Sequence, residues 1–412
     1  MMVGKKVCVV GGGASGMMAA IAAARCGAQV ILLEQLGRVG KKLLATGNGR
    51  CNLTNVDISI MRYHGSHPEF AESALSRFDS KAAIEFFGEL GIAHKVEDCG
   101  KVFPRSDQAS SVLDVMRWEM ESLGIQERVD CEVKSIIPLK GGFTIVLKNN
   151  EELRADRVVL ATGGKASPNL GSTGSGFVLA RKLGHNITET FPSLVQLNLS
   201  AHFLRALKGI KFIGSAAIYD GEDRIRCEEG ELLFTDYGIS GPPIFQLSRS
   251  AAQLLIKNRK PRIAVDMFPE LEEAELCEAL GIRFGYRPGK TAEFSLVGLL
   301  NKKLIPTVLR EAGIADLSRP CGSMSYEERA SLAALLKGWS FQVTGTQSWS
   351  QAQVTAGGVD VREVNPNTME SDLVPGLYFC GEMLDIDGDC GGFNLQWAWS
   401  SGYCAGINAA GF

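Results

Sequence analysis

The chain opens on a short apolar run, Lys6-Val7-Cys8-Val9-Val10, which breaks at three glycines and gives way to the alanine-rich segment Met17 to Arg25. A second apolar run, Gln29-Val30-Ile31-Leu32-Leu33, stops at Glu34. Unbroken apolar runs bounded by glycine are the pattern of strands buried on both faces, and the stretch between them has helical periodicity. Residues 5–34 are therefore expected to form strand, glycine turn, helix and strand. Helical patterns follow over 69–78, 80–90 and 109–123, with Ser110 and Ser111 as candidate caps of the last. Alternation over Glu132 to Pro138, Gly142 to Leu147 and Arg157 to Ala161 predicts further strands.

The texture changes near residue 191. Strand-like pieces at 194–199, 212–219 and 232–234 precede helical ones at 270–283, 295–312 and 325–338, the last opened by the capping box Ser325-x-x-Glu328. Glycine-rich punctuation resumes over 353–412, with a strand at 377–380 and a final helix. The expected class is α/β. One discontinuous domain takes 1–190 and 353–412, and an inserted substrate-side domain takes 191–352: β-rich at 191–265, helical at 266–338, with a return strand at 339–352.

A length of 412 residues, at ~150 per domain, fits two or three domains. The 47 glycines exceed the usual ~7% and call for turns or close approaches. Forty-three basic against 46 acidic residues leave a net charge of −3, which provides no field for nucleic acid or an anionic membrane. Eleven cysteines without a C-x-x-C exclude a disulfide framework, a zinc ribbon and a dithiol redox pair. His64 and His67 are the only close pair of the five histidines, so no metal is expected. The glycines after Val10 interrupt any signal-peptide core, and no run of eighteen apolar residues occurs. The expected location is cytoplasmic.

Gly11-Gly12-Gly13-Ala14-Ser15-Gly16 sets G-x-G-x-x-G between the first strand and helix, with Glu34 eighteen residues after Gly16. Glycines there let the backbone turn tightly, approach a pyrophosphate and pack helix on sheet. The helix start offers N–H groups and positive potential to the phosphates, and Glu34 can accept from ribose hydroxyls. That fingerprint fits NAD or FAD. The segment from Arg38 to Asn52, RVGKKLLATGNGRCN, adds four cations and several glycines suited to wrapping along a long cofactor. A solvated basic loop is its plainer reading.

This segment resembles the BaiN-like and aminoacetone-oxidase-type flavoproteins, a branch of the glutathione-reductase-like FAD superfamily. Ala161-Thr162-Gly163, Leu233-Phe234-Thr235 before Gly238-x-Ser240-Gly241-Pro242, Thr355-Ala356-Gly357-Gly358-Val359, and Gly381-Glu382 leading to Gly391-Gly392-Phe393-Asn394-Leu395-Gln396 carry the resemblance across nearly the whole chain. Asp236 stands where histidine commonly follows L-F-T. The resemblance implies a Rossmann-type three-layer domain with noncovalent FAD. Its contacts would come from Gly11, Gly13, Ala14, Ser15, Gly16, Glu34, Gln35, Lys42, Leu43, Thr46, Gly47, Asn48, Val133, Ala161, Thr162, Gly163, Gly381, Glu382, Gly392, Phe393, Asn394 and Leu395. The helix led by Gly391 and Gly392 would aim N–H groups at the flavin N1–C2=O edge, and Glu382 would take the ribityl or phosphate-bridging place. Ser172-Thr173-Gly174-Ser175-Gly176 resembles a fumarate-reductase-type run and is not read as a second dinucleotide site. Trp397 and Trp399 are expected in the core, and Cys51 and Cys390 as buried neighbours.

The expected function is hydride transfer between flavin N5 and a small-molecule substrate. Reduction of a conjugated C=C in a 3-oxo bile acid or similar enone, with NAD(P)H as transient donor, is favoured over O₂-dependent oxidation of a small amine such as aminoacetone, because no aromatic cage for an amine is evident. Tyr237 and Arg50 are the candidate proton donors. A tRNA-modifying flavoprotein is a distant alternative, and neither nucleic acid nor membrane is the expected partner.

Overall fold

The computed structural model describes residues 4–412. The chain divides into two compact units, Met1–Pro192 with Ala352–Phe412, and Ser193–Gln351.

The first unit is built on five parallel strands in the order Leu377–Phe379, Arg157–Leu160, Lys6–Val10, Gln29–Leu33, Gln126–Arg128. Val7, Cys8 and Val9 are fully buried, so both faces of the central strand are covered, as all-parallel sheets require. Helices Ala14–Arg25 and Phe393–Ala410 pack against each other beside the sheet, and an antiparallel meander (Val133–Leu139, Gly142–Leu147, Glu152–Ala155) packs against the two inner strands. This is the Rossmann-type three-layer arrangement. Two glycines fix the helix pair: a Cβ on Gly402 would stand 2.5 Å from the Ser15 carbonyl oxygen, and one on Gly406 2.4 Å from that of Ala19. One expected cap moves. Ser110 and Ser111 lie inside the helix Ala109–Ser122, whose N-cap is Gln108 without a side-chain bond.

The second unit is a closed, wholly antiparallel barrel in the order Leu197–Ser200, Gly238–Ser240, Asp223–Phe234, Lys211–Asp220, Arg262–Asp266, Trp339–Thr346 and back to the first. Phe203, Phe234, Trp339 and Phe341 fill it with ring contacts of 5.0–6.3 Å. A helix at Pro242–Ile256 interrupts the stretch read as β-rich; its prolines occupy first-turn positions, where the missing N–H costs nothing. The helix expected over 295–312 breaks into Ala292–Ser295 and Ile305–Glu311. The capping box at Ser325 forms in both directions, with Glu328 N–H on Ser325 Oγ and Ser325 N–H on Glu328 Oε2.

Candidate functional site

The fingerprint glycines differ in what surrounds them. Gly11 has φ +107°, and a Cβ there would meet the Ala161 carbonyl oxygen at 2.5 Å; one on Gly16 would meet the Gly11 oxygen at 1.9 Å. Both positions are closed by the protein's own backbone. Gly13 is the N-cap of helix Ala14–Arg25 with extended backbone, and a Cβ there would meet no atom within 4 Å. The one opening in the turn therefore lies at the helix start, where the N–H groups of Ala14, Ser15 and Gly16 have no intrahelical acceptor. That cradle fits a pyrophosphate.

Glu34 closes the next strand. Its carboxylate accepts from the N–H groups of Gly12 and Leu36, each at 2.8 Å, and so ties the glycine turn to the strand end. Burial pushes its pKa up, opposed by those backbone N–H groups. Gln35 Nε2 donates to the Gly171 carbonyl at 2.6 Å. Cys131 N–H donates to the Glu34 carbonyl at 2.8 Å, which brings the segment leading to buried Val133 beside the acid.

In the loop 38–52, the short helix Lys41–Ala45 starts after Gly40 at φ +73°. Leu43 is buried in the core, and Lys42 reaches Glu382 at 2.7 Å. The second Glu382 oxygen accepts from Thr355 N–H at 2.8 Å, so the acid joins three chain segments. Thr46 Oγ1 donates to the Leu43 carbonyl at 2.6 Å, and Gly47 and Asn48 follow in left-handed conformation. Arg50 bonds Glu97 and Asp107, which Lys95 also pairs, and its guanidinium stacks on Phe103 at 4.1 Å. Those carboxylates raise its pKa above the ordinary arginine value. Paired in this way, Arg50 pins the loop 38–52 to the segments carrying Glu97 and Asp107.

Ala161, Thr162 and Gly163 follow the strand Arg157–Leu160, and Thr162 Oγ1 donates to Met383 Sδ at 2.9 Å. Gly381 has φ +66°, and a Cβ there would stand 2.4 Å from Ser15 Oγ, so the Gly381-Glu382 turn lies against the first helix. Trp397 Nε1 donates to the Gly381 carbonyl at 3.0 Å and Trp399 Nε1 to that of Leu53 at 2.9 Å; both rings are in the core. Gly392, at φ +100°, opens the helix Phe393–Ala410, and the Asn394 side chain clamps Gly388 through N–H and carbonyl at 2.8 and 2.7 Å. The backbone N–H groups of Phe393, Asn394 and Leu395 lack intrahelical acceptors and remain for a ligand. Burial raises the Cys51 thiol to about 12 and that of Cys390 above its usual value. Neither thiol is poised as a nucleophile. No strand leads into the Ser172–Gly176 run; a three-residue 3-10 turn, Pro168–Leu170, precedes it.

Tyr237 belongs to the second unit, half-buried in the turn between two barrel strands, where its carbonyl accepts from Leu199 N–H at 3.0 Å. Beside it, Lys208 pairs with Asp236 at 2.7 Å and holds that carboxyl below its ordinary range.

Sequence reasoning weighed His64 only as a metal ligand. Its Nε2 lies 2.8 Å from Oδ1 of buried Asp389, whose Oδ2 is 3.4 Å from Arg62. Among the described residues no cluster of His, Cys, Asp and Glu could hold a metal ion, and no helix is long and apolar enough to cross a membrane.

The description HI0933-like protein Rossmann domain matches residues 5–408. A 3-dehydro-bile acid delta(4,6)-reductase from Clostridium scindens is 41% identical, with 98% of this chain and 99% of the relative covered. A ribosomal RNA dihydrouridine synthase from Escherichia coli is 32% identical, with 96% of each chain covered. Among solved structures, a 3-ketosteroid delta1-dehydrogenase from Sterolibacterium denitrificans superposes with a TM-score of 0.52 at 11% identity, over 98% of this chain and 99% of that one, which is a likeness of fold. The chain thus belongs to the HI0933-like Rossmann-domain family and is an FAD-dependent oxidoreductase.

Proposed function

We propose that this protein reduces a carbon–carbon double bond conjugated to a carbonyl, with NAD(P)H as the electron source. One observation carries the reading: the two full-length relatives act on different molecules by one reaction class. A delta(4,6) bond system conjugated to a 3-oxo group and the C5=C6 bond of uridine beside its C4 carbonyl are both polarised alkenes, and each C=C reduced gains two hydrogens.

In this reading Gly13 and the helix start behind it face the pyrophosphate, and Glu34 takes the ribose. Lys42 and Glu382 flank the middle of the cofactor, and the first N–H groups of helix Phe393–Ala410 face the flavin pyrimidine. FAD held there would supply two-electron hydride chemistry between NAD(P)H and the alkene. The helix end favours negative charge on the reduced ring by up to ~2 kcal/mol in a partly buried geometry. Tyr237 is assigned to the substrate carbonyl oxygen, where charge gathers as hydride arrives. The greater identity to the bile-acid enzyme favours a steroid-like dienone; a uridine in ribosomal RNA is the second reading, carried by the other relative.

Anaerobic stopped-flow spectroscopy at about 450 nm, a flavin marker, tests this. NAD(P)H should bleach the flavin, and a 3-oxo-4,6-diene bile acid should restore it, more slowly in Tyr237→Phe. Restoration by unmodified ribosomal RNA alone would move the substrate to the second reading. Bleaching by aminoacetone, with reoxidation only by O₂, overturns the reductase.

A further inference from the structure

The five histidines meet different partners. His185 is enclosed, with Nδ1 on Glu363 at 3.0 Å and Nε2 on Ser371 at 2.8 Å, so neither nitrogen is open. His67 pairs with Glu69 on the surface, His94 is exposed on a hairpin strand, and His202 packs edge-on against Phe203 in the second unit. His64 alone joins a buried carboxylate on one ring nitrogen to a second nitrogen, Nδ1, without a hydrogen-bond partner among the described residues.

The segment carrying His64 is locked onto the start of the C-terminal helix. His64 pairs with Asp387 across an antiparallel bridge, and a Cβ on Gly65 would stand 2.1 Å from the Asp385 oxygen. Ser66 gives its N–H and hydroxyl to Asp385 at 3.1 and 2.7 Å, Tyr63 donates its hydroxyl to the Phe393 carbonyl at 3.2 Å, and Arg62 lies 5.8 Å over the Phe393 ring. The backbone at His64 is therefore held in place, and the bond to Asp389 orients the imidazole. Asp389 takes the Nε2–H, which leaves Nδ1 as the nitrogen that gains and gives up a proton, the logic by which a carboxylate fixes a histidine tautomer. The charged groups nearest the ring in the chain's pairing are Asp389, bonded to it, Asp387, its partner across the bridge, Asp385, which holds the neighbouring Ser66, and Arg62, which pairs with Asp389.

We propose that His64, oriented by Asp389, supplies the proton that ends on carbon in the reduction. This rests on the reading under Proposed function. Hydride forms the new C–H bond at the electrophilic end of the alkene, and the π pair shifts toward the carbonyl. The neighbouring carbon then takes the proton from Nδ1 of the imidazolium, so the N–H bond breaks as the second C–H forms and the ring is left neutral with its Nε2–H on Asp389. NAD(P)H provides the two electrons, and solvent returns the proton to His64.

Two measurements on the FAD-loaded protein test the assignment. Long-range 1H–15N spectra of histidine-labelled protein should show neutral His64 as the Nε2–H tautomer, and Asp389→Asn should disturb it. In stopped flow, His64→Ala and His64→Gln should be reduced by NAD(P)H within about twofold of the native rate, yet lose roughly 10²- to 10⁴-fold in reoxidation by the dienone. Added imidazole should recover part of the His64→Ala loss. If the native protein is not reoxidised by any conjugated carbonyl, the underlying reading fails whatever His64 does. If the native protein turns over and His64→Ala matches it, or if both half-reactions slow together without imidazole rescue, the proton role is overturned. An Nδ1–H tautomer overturns it as well.

Discussion

The same Gly→Ala substitution at three positions of one turn should give three different proteins. Gly13 has φ −79° and ψ −173°, a conformation open to any residue, and its added methyl meets nothing within 4 Å. As an N-cap, alanine in place of glycine costs about 0.5–1 kcal/mol, a shift of about 1–4 °C in the midpoint for a unit of this size. The methyl would point into the space assigned to the pyrophosphate. Overpacking there costs about 1–3 kcal/mol, or about 5- to 150-fold in the Kd for FAD, and valine should abolish binding. Gly16→Ala places its methyl 1.9 Å from the Gly11 oxygen, and Gly11→Ala places one 2.5 Å from the Ala161 oxygen at a positive φ. Both force backbone to move, so fold and cofactor are lost together. Thermal unfolding of the apoprotein beside a flavin-fluorescence titration separates the cases. A folded Gly13→Ala with native FAD affinity would refute the cradle, and a Gly13→Ala that melts like Gly16→Ala would make the residue structural.

Glu34→Gln replaces an acceptor of two backbone N–H bonds with a group that accepts through one atom, so about 1.5–3 kcal/mol should be lost from both FAD affinity and apoprotein stability; weaker FAD binding with an unchanged melt would confine the acid to the ribose. FAD should be released by acid or heat, since no histidine lies in 38–52 to hold it covalently, and flavin remaining on the denatured chain contradicts this. Burial lowers His185 below its ordinary 6.5, so the fold favours the neutral ring: this stability is full above about pH 6.5 and is lost as pH falls toward the folded value. The urea midpoint should fall from pH 7 to 5 more steeply in the native protein than in His185→Gln, and equal slopes would dismiss the histidine.

The glycine turn was legible because two of its positions tolerate no other residue: the contacts at Gly11 and Gly16 are local consequences of a strand entering a helix. Helix Pro242–Ile256 had a local signal too, in the Pro-Pro start, but the flanking strand patterns concealed it. Barrel closure had none, since Leu197–Ser200 meets Trp339–Thr346 through a register that no short window contains. The partners of Arg50 were hidden because a cation in a cofactor loop carries no mark of the acids it will meet; Glu97 and Asp107 come from elsewhere in the chain. His64 and Asp389 stand 325 positions apart, and only folding reveals a dyad.

The contact between helices Ala14–Arg25 and Phe393–Ala410 also sets an order of events during synthesis. The first helix leaves the ribosome with Met17, Met18 and Ile21 destined for full burial, but its partner, which begins at Phe393, is made well over three hundred residues later. At ~5–20 residues per second the delay is on the order of half a minute. Because Gly402 and Gly406 bring the backbones together, few other helices could cover that face in the meantime. The second unit, whose first and last strands pair with each other, can close while the first still waits. The nascent chain would then carry a finished barrel on an unfinished cofactor domain, and FAD could be captured only after helix Phe393–Ala410 docks.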